Sequence, residues 1–240
     1  MYPKASIITI IATVQMLCAD ESEKLNWSLS PINNISVNNS KNPWIKNSID
    51  QFVLEKLKEK NLKPQPEADR YTLMRRLHAG LTGILPSISE INSFVKNTSI
   101  DAYDKLIDKL LSDPHYGERW ARHWLDVARF GESNGILTVN EDRIRKDAWK
   151  YRDSVIQAFN NDLPFDLFVK YQLNPQSDKI SSEYRELRQF IHLGTRLQNN
   201  ADPNDRQFHR LNDMVSTTGN AFLGFTFGCA RCHDHPVDPM

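Results

Sequence analysis

Cys229 and Cys232 stand three positions apart, and His233 follows at once. Two thiols at this spacing reach the two vinyl groups of one porphyrin. The adjacent imidazole then projects under the iron as an axial ligand. C-x-x-C-H therefore points to covalent attachment of haem c through Cys229 and Cys232, with His233 as the proximal ligand. Two other chemistries are open to the same residues. The thiols can close a small disulfide. They can also hold zinc or iron without haem, with His233 or His235 as nitrogen ligands and Asp234 or Asp238 adding oxygen. The group opposite His233 is open as well. His123 shares a helix face with Trp120, Trp124 and Val127, which makes it either a packed core histidine or a distal ligand. Asp126 and Arg129 follow it as neighbours that could orient a ligand or a propionate. His192, His209, Met214 and Met240 are further candidates.

Such chemistry belongs outside the cytoplasm, and the N-terminus agrees. Lys4 supplies a positive start, residues 5–19 an apolar core too short for a comfortable membrane span, and Leu17-Cys18-Ala19 a small-residue cleavage site. The sequence predicts a signal peptide over residues 1–19, a periplasmic or secreted protein, and no membrane span after cleavage. A lipidated Cys18 is the rival, disfavoured by the bulky Gln15-Met16-Leu17 before it. Cleavage removes Cys18 and leaves two cysteines, both in the terminal motif. In an oxidising compartment such close thiols pair unless something claims them. The 240 residues carry zero net charge, with 40% apolar and 25% charged side chains. That is globular composition, and it offers no electrostatic footprint for nucleic acid.

The elements that must position the motif are helices. Residues 20–42 are rich in Asn and Ser and read as a polar linker. One domain is expected over 43–240. Asn42-Pro43 is expected to cap a first helix with Ile45, Ile49, Phe52, Val53 and Leu57 as its inner stripe. A second is expected over about 69–81. Ser87 and Glu90 form a capping box opening a third. Tyr103, Leu106, Ile107, Leu110 and Leu111 mark a fourth. Pro114 breaks that one, and a fifth starts near Tyr116 with Trp120, Trp124, Val127 and Ala128 inward. A sixth over 144–160 turns Trp149, Val155, Ile156 and Phe159 inward, and Pro164 starts a seventh. Residues 174–182 read as a loop, with helices again over 183–198 and 205–223. Nothing alternates with period two, so the fold class is all-α.

Long words of the chain resemble one family. They are IDQFVLEKLKEKNLKPQPEADRYTLMRRLHAGLTGILP (49–86), AYDKLIDKLLSDPHYGERWARHWLDVARFGESNG (102–135), WKYRDSVIQAFNNDLPFDLFVKYQL (149–173) and STTGNAFLGFTFGCARCHDHPVDP (216–239). In this order they resemble the cytochrome-like DUF1549, or PSCyt2, family of planctomycetes and related bacteria. The resemblance implies a secreted protein and a PSD1-type domain as partner, beside any redox partner protein. It maps Cys229, Cys232, His233, His235 and Asp238 onto the family's CARCHDHK-[FY]-DP word, with Pro236 in place of the lysine. The stretch NPQSDKISS after residue 173 departs from the family. The word ERWARHWLDVARFGESNG adds Glu118, Arg119, Arg122, His123, Asp126, Arg129 and Glu132. Of these, Arg119, Arg122 and Arg129 with Glu118 and Asp126 are expected to form a salt-bridge network orienting helices, the alternative being a polar shell around a propionate or substrate. Arg143, Trp149, Tyr151, Arg152 and Asp153 pose the same choice. Three roles follow: a haem-binding redox domain, a non-haem metal-dependent extracellular enzyme, and a structural docking module.

Overall fold

A computed structural model describes residues 30–32, 42–133, 144–174, 180–194 and 202–234. The signal segment 1–19, nearly all of the 20–42 linker, Arg143, His235, Asp238 and Met240 lie outside the described residues, as does most of the expected 174–182 loop. The fold is all-α. Among the described residues there is no strand, only a single bridge between Ser133 and Ile144. No helix among them is long and apolar enough to cross a membrane.

The chain divides into two compact units, residues 1–66 and 67–240. The first contains α1 (Ser48–Glu59). Its start differs from expectation. Asn42 makes a turn instead, its side chain accepting from the Trp44 N–H at 3.0 Å. The cap is Asn47, whose side chain accepts from Ile49 and Asp50, while Asp50 accepts back from the Asn47 N–H. Asn47 wins because Asp50 at the third helical position completes a reciprocal box, which Asn42 cannot do. The inner face shifts with it. Leu54 is buried, whereas Ile49, Phe52 and Val53 are exposed.

The second unit opens with α2 (Arg70–Leu81), α3 (Ile88–Lys96) and α4 (Ala102–Leu111). Met74, Phe94, Ala102, Leu106 and Leu110 form their shared core. Arg70 closes the end of α3. Its guanidinium donates to the Phe94 and Asn97 carbonyls at 2.8 Å each and lies over the Phe94 ring. That satisfies carbonyls left without helical partners.

The α3 capping box is present as expected, Ser87 accepting from the Glu90 N–H and Glu90 from the Ser87 N–H. Lys109 on α4 donates to the same Glu90 at 2.9 Å. The Lys109 bond, then the Ser87 N–H and hydroxyl, lower the Glu90 pKa to about 2. A carboxyl depressed on folding stabilises above its unfolded value, and the contribution is lost as pH falls through the folded one. Solvent screening limits it to about 1 kcal/mol. Thermal melts of wild type and Glu90→Gln at pH 5, 3.5 and 2 check this. The gap between them should close between about 4.5 and 2; a gap independent of pH would refute the assignment.

α5 (Pro114–Val127), α6 (Ala148–Asn160), α7 (Phe165–Leu173) and a 3-10 helix (Ser182–His192) build the larger core. Pro114 does not merely break α4. It is the first residue of α5, behind an Asp113 cap that accepts from the His115 N–H. Two expected inner aromatics face out: Trp120 and Trp149 are exposed, as is Val127. The buried line of α5 is Gly117, Ala121 and Ala128, with Trp124 packed against the core. On α6 it is Ala148, Tyr151, Val155 and Ala158. Small residues on both lines let the axes approach, and that rotates the large off-line tryptophans outward.

Where the expected 183–198 helix falls on described residues, the chain forms the 3-10 segment; residues 195–198 lie outside the described residues. Tyr184, Leu187, Phe190 and Leu193 are buried at every third position. A 3-10 helix stacks positions i and i+3 on one line, so this spacing suits it better than an α-helix. The last long element, α8 (Pro203–Leu223), packs on α5 and on the 3-10 helix.

A polar cluster of three side chains sits at the centre. Gln172 is fully buried. Its Oε1 accepts from the Tyr151 hydroxyl at 2.7 Å and from Trp124 Nε1 at 3.1 Å. Burial pushes the Tyr151 hydroxyl above its ordinary pKa, so it stays a donor.

Candidate functional site

α8 ends at Gly224, which takes the left-handed conformation at φ 70°. Glycine adopts this without the Cβ penalty, and the chain reverses there. The Phe225 N–H donates back to the Gly219 carbonyl at 3.2 Å. Gly219 is buried for a second reason. A Cβ there would lie 2.0 Å from the Phe227 ring, so only glycine leaves room for that ring against α8. The single turn α9 (Phe227–Ala230) follows. Arg231 then reaches along α8 and lies over the Phe208 ring at 4.6 Å. Phe227 and Arg231 thus fold the motif back along the helix that precedes it.

Cys229 and Cys232 are free and exposed. The Cys232 N–H donates to the Cys229 carbonyl at 3.4 Å, so the thiol-bearing residues sit one turn apart on one side. His233 is exposed, with Nδ1 2.7 Å from the Asp234 carbonyl. A carbonyl only accepts, so Nδ1 is the donor, and in the neutral ring Nε2 then holds the lone pair. An imidazole held in this way is set to ligate through Nε2. Beside the motif, Phe208, Leu211 and Val215 form an exposed apolar line on α8. The donor set fits a c-type haem: two thiols open to reaction one turn apart, then a histidine with its ligating nitrogen presented.

The other expected residues are placed elsewhere. His123 is neither a core histidine nor in contact with the motif among the described residues. It is exposed on α5, its ring 5.5 Å from that of Trp120. Asp126 is exposed too, as are Glu118, Arg119 and Arg122, and no ion pair among the described residues joins them. The expected network is therefore absent there. Arg129 instead crosses to α8. Its Nε and Nη2 bind both carboxylate oxygens of Asp213, at 2.6–2.9 Å. Arg152 pairs with Glu132 and Asp153. Asp213 escaped the sequence reading because 84 positions separate it from Arg129 and no local spacing rule spans them. Phe208 escaped likewise, while Gly219 inside a long helix was a signal available to be read. No group of three His, Cys, Asp or Glu side chains among the described residues is arranged to hold a metal.

A family model described as "PSCyt2: Protein of unknown function (DUF1549)" matches residues 48–240. No curated protein and no solved structure matches the chain.

Proposed function

The chain belongs to the PSCyt2 (DUF1549) family, and from that membership we propose that it is an exported, c-type haem-binding domain with a redox or electron-transfer role. One observation carries the reading. The exposed thiols of Cys229 and Cys232 stand one turn apart, and the following His233 has Nδ1 committed to a carbonyl and Nε2 free to ligate. When bound, haem supplies reversible one-electron chemistry at its iron. The chain's own residues do the rest. Cys229 and Cys232 would hold haem through thioether bonds, and His233 would ligate its iron through Nε2. The Asp234 carbonyl fixes the His233 ring, and Phe208 lies against Arg231 of the motif. The signal-like N-terminus supports export to the compartment where such attachment occurs.

The test is intact mass and visible spectrum after expression with export and c-type maturation machinery. A mass gain of one haem and a Soret band are expected, and both should vanish in Cys229→Ala/Cys232→Ala. An unmodified mass without a Soret band would refute the reading.

A further inference from the structure

A cavity of about 670 Å³ lies between the end of the 3-10 helix and the first half of α8. We propose that it is a binding site for a small organic oxyanion, a carboxylate or phosphate head on an apolar body. The charge of its wall points to this. Arg206, His209 and Arg210 reach it from α8, and His192 from the 3-10 helix. Arg210 Nη2 lies 3.3 Å from His192 Nδ1. Arginine only donates, so the His192 ring nitrogen is the acceptor in that contact. Among the described residues Asp213 is the one carboxylate in the wall, and Arg129 already grips both of its oxygens. No carboxylate among the described residues is paired with Arg206 or Arg210. Among these residues the wall therefore holds two arginine charges without a paired counter-charge, in a protein whose net charge is zero. Guanidinium groups bind carboxylate and phosphate in forked, charge-assisted pairs.

The floor is fixed, which a binding site needs. A Cβ on Gly194 would stand 2.0 Å from Asp213 Oδ2 and 2.9 Å from Arg129 Nη2, so the backbone lies directly on that ion pair. Arg145 donates to the Leu193 and Gly194 carbonyls from the other side. Arg129 reaches Asp213 from a left-handed backbone, φ 52°, which a non-glycine residue adopts at a cost. The volume exceeds that of a bare ion and falls in the range of small-molecule sites. Ile191, Leu211 and Met214 give the apolar wall for the rest of such a ligand.

Calorimetric titration of the full chain tests this with four probes: phenyl phosphate, benzoate, inorganic phosphate and benzyl alcohol. Phenyl phosphate or benzoate should bind best, the tighter of the two naming the head group, and inorganic phosphate more weakly. Benzyl alcohol should not bind. Arg206→Gln and Arg210→Gln should each weaken binding about tenfold, the loss of one charge-assisted contact. Both side chains are exposed, so the variants keep the fold. Lys105→Gln removes the same charge elsewhere and should change nothing. The proposal is overturned if neither organic anion binds at millimolar concentration. It is also overturned if benzyl alcohol or inorganic phosphate binds as well as they do, or if Lys105→Gln weakens binding equally.

Discussion

Gly117→Ala is expected to lower the melting temperature by about 5–10 °C, an overpacking cost of about 2–3 kcal/mol in a domain of this size. Gly117 is buried where α5 crosses α6. An added Cβ would meet the Asn160 side chain at 2.5 Å and the Ile156 carbonyl oxygen at 2.6 Å. A side chain can swing aside, but a helical carbonyl cannot, so the axes must separate. The loss compounds. Asn160 accepts from the Gly117 N–H at 2.7 Å and donates to the Pro114 carbonyl at 3.2 Å, tying the start of α5 to the end of α6. A methyl group at residue 117 displaces that amide. Gly80→Ala is the matched control. Nothing lies within 4 Å of a Cβ there, in the last turn of α2. Helix propensity alone then acts, and the variant should be stabilised by about 0.5–1 kcal/mol. Calorimetric melts of the two variants against wild type decide the matter. Equal melting temperatures would mean that the crossing tolerates a Cβ.

Gln172→Leu should cost about 1–3 kcal/mol, although the two side chains have similar volume. The Gln172 Oε1 accepts from the buried Tyr151 hydroxyl and from Trp124 Nε1. Leucine leaves the Tyr151 hydroxyl without its acceptor, while Trp124 Nε1 keeps the Tyr151 oxygen, to which it donates at 2.9 Å. A buried polar group that loses its partner costs about 1–3 kcal/mol. Tyr151→Phe separates the contributions. It removes one donor together with its hydroxyl, and Trp124 can still donate to Gln172, so the expected loss is about 1 kcal/mol. Chemical denaturation of both variants gives the comparison. If Tyr151→Phe costs as much as Gln172→Leu, the loss comes from packing around the ring and not from an unpaired donor.

Local chemistry in this chain was legible in its sequence, and distant pairing was not. The box of Ser87 and Glu90 opens α3 because both bonds close within four residues. The α4 stripe buries Leu106 and Leu110 because its period is that of an α-helix. α1 was placed too early because two asparagines five positions apart can each cap, and only Asn47 has Asp50 behind it. Trp120 and Trp149 were turned inward by size alone. The glycine and alanines at the α5–α6 crossing decide which face is buried, and hydrophobicity does not rank them above tryptophan. The three-residue rhythm of Tyr184, Leu187, Phe190 and Leu193 was present in the sequence, but a window tuned to 3.6 blurs it.

The terminal motif shows the same division. Its thiols and histidine are named by spacing alone. Its seat on Gly219 and its reach to Phe208 depend on a chain reversal that only the folded backbone reveals.

That reversal sets the order in which the protein can be assembled. Residues 225–234 add no buried side chain to either core cluster; the core contacts end at Phe222. Lifting the Phe227 ring from its seat frees the segment as a flap while both clusters stay closed. Such an opening draws on the low end of a protein's range of local stabilities, well below the global unfolding free energy. A processing enzyme can therefore take hold of the flap on an already folded domain. If the motif takes haem as proposed, completion of the core and attachment of the haem become separate steps, and neither has to wait for the other.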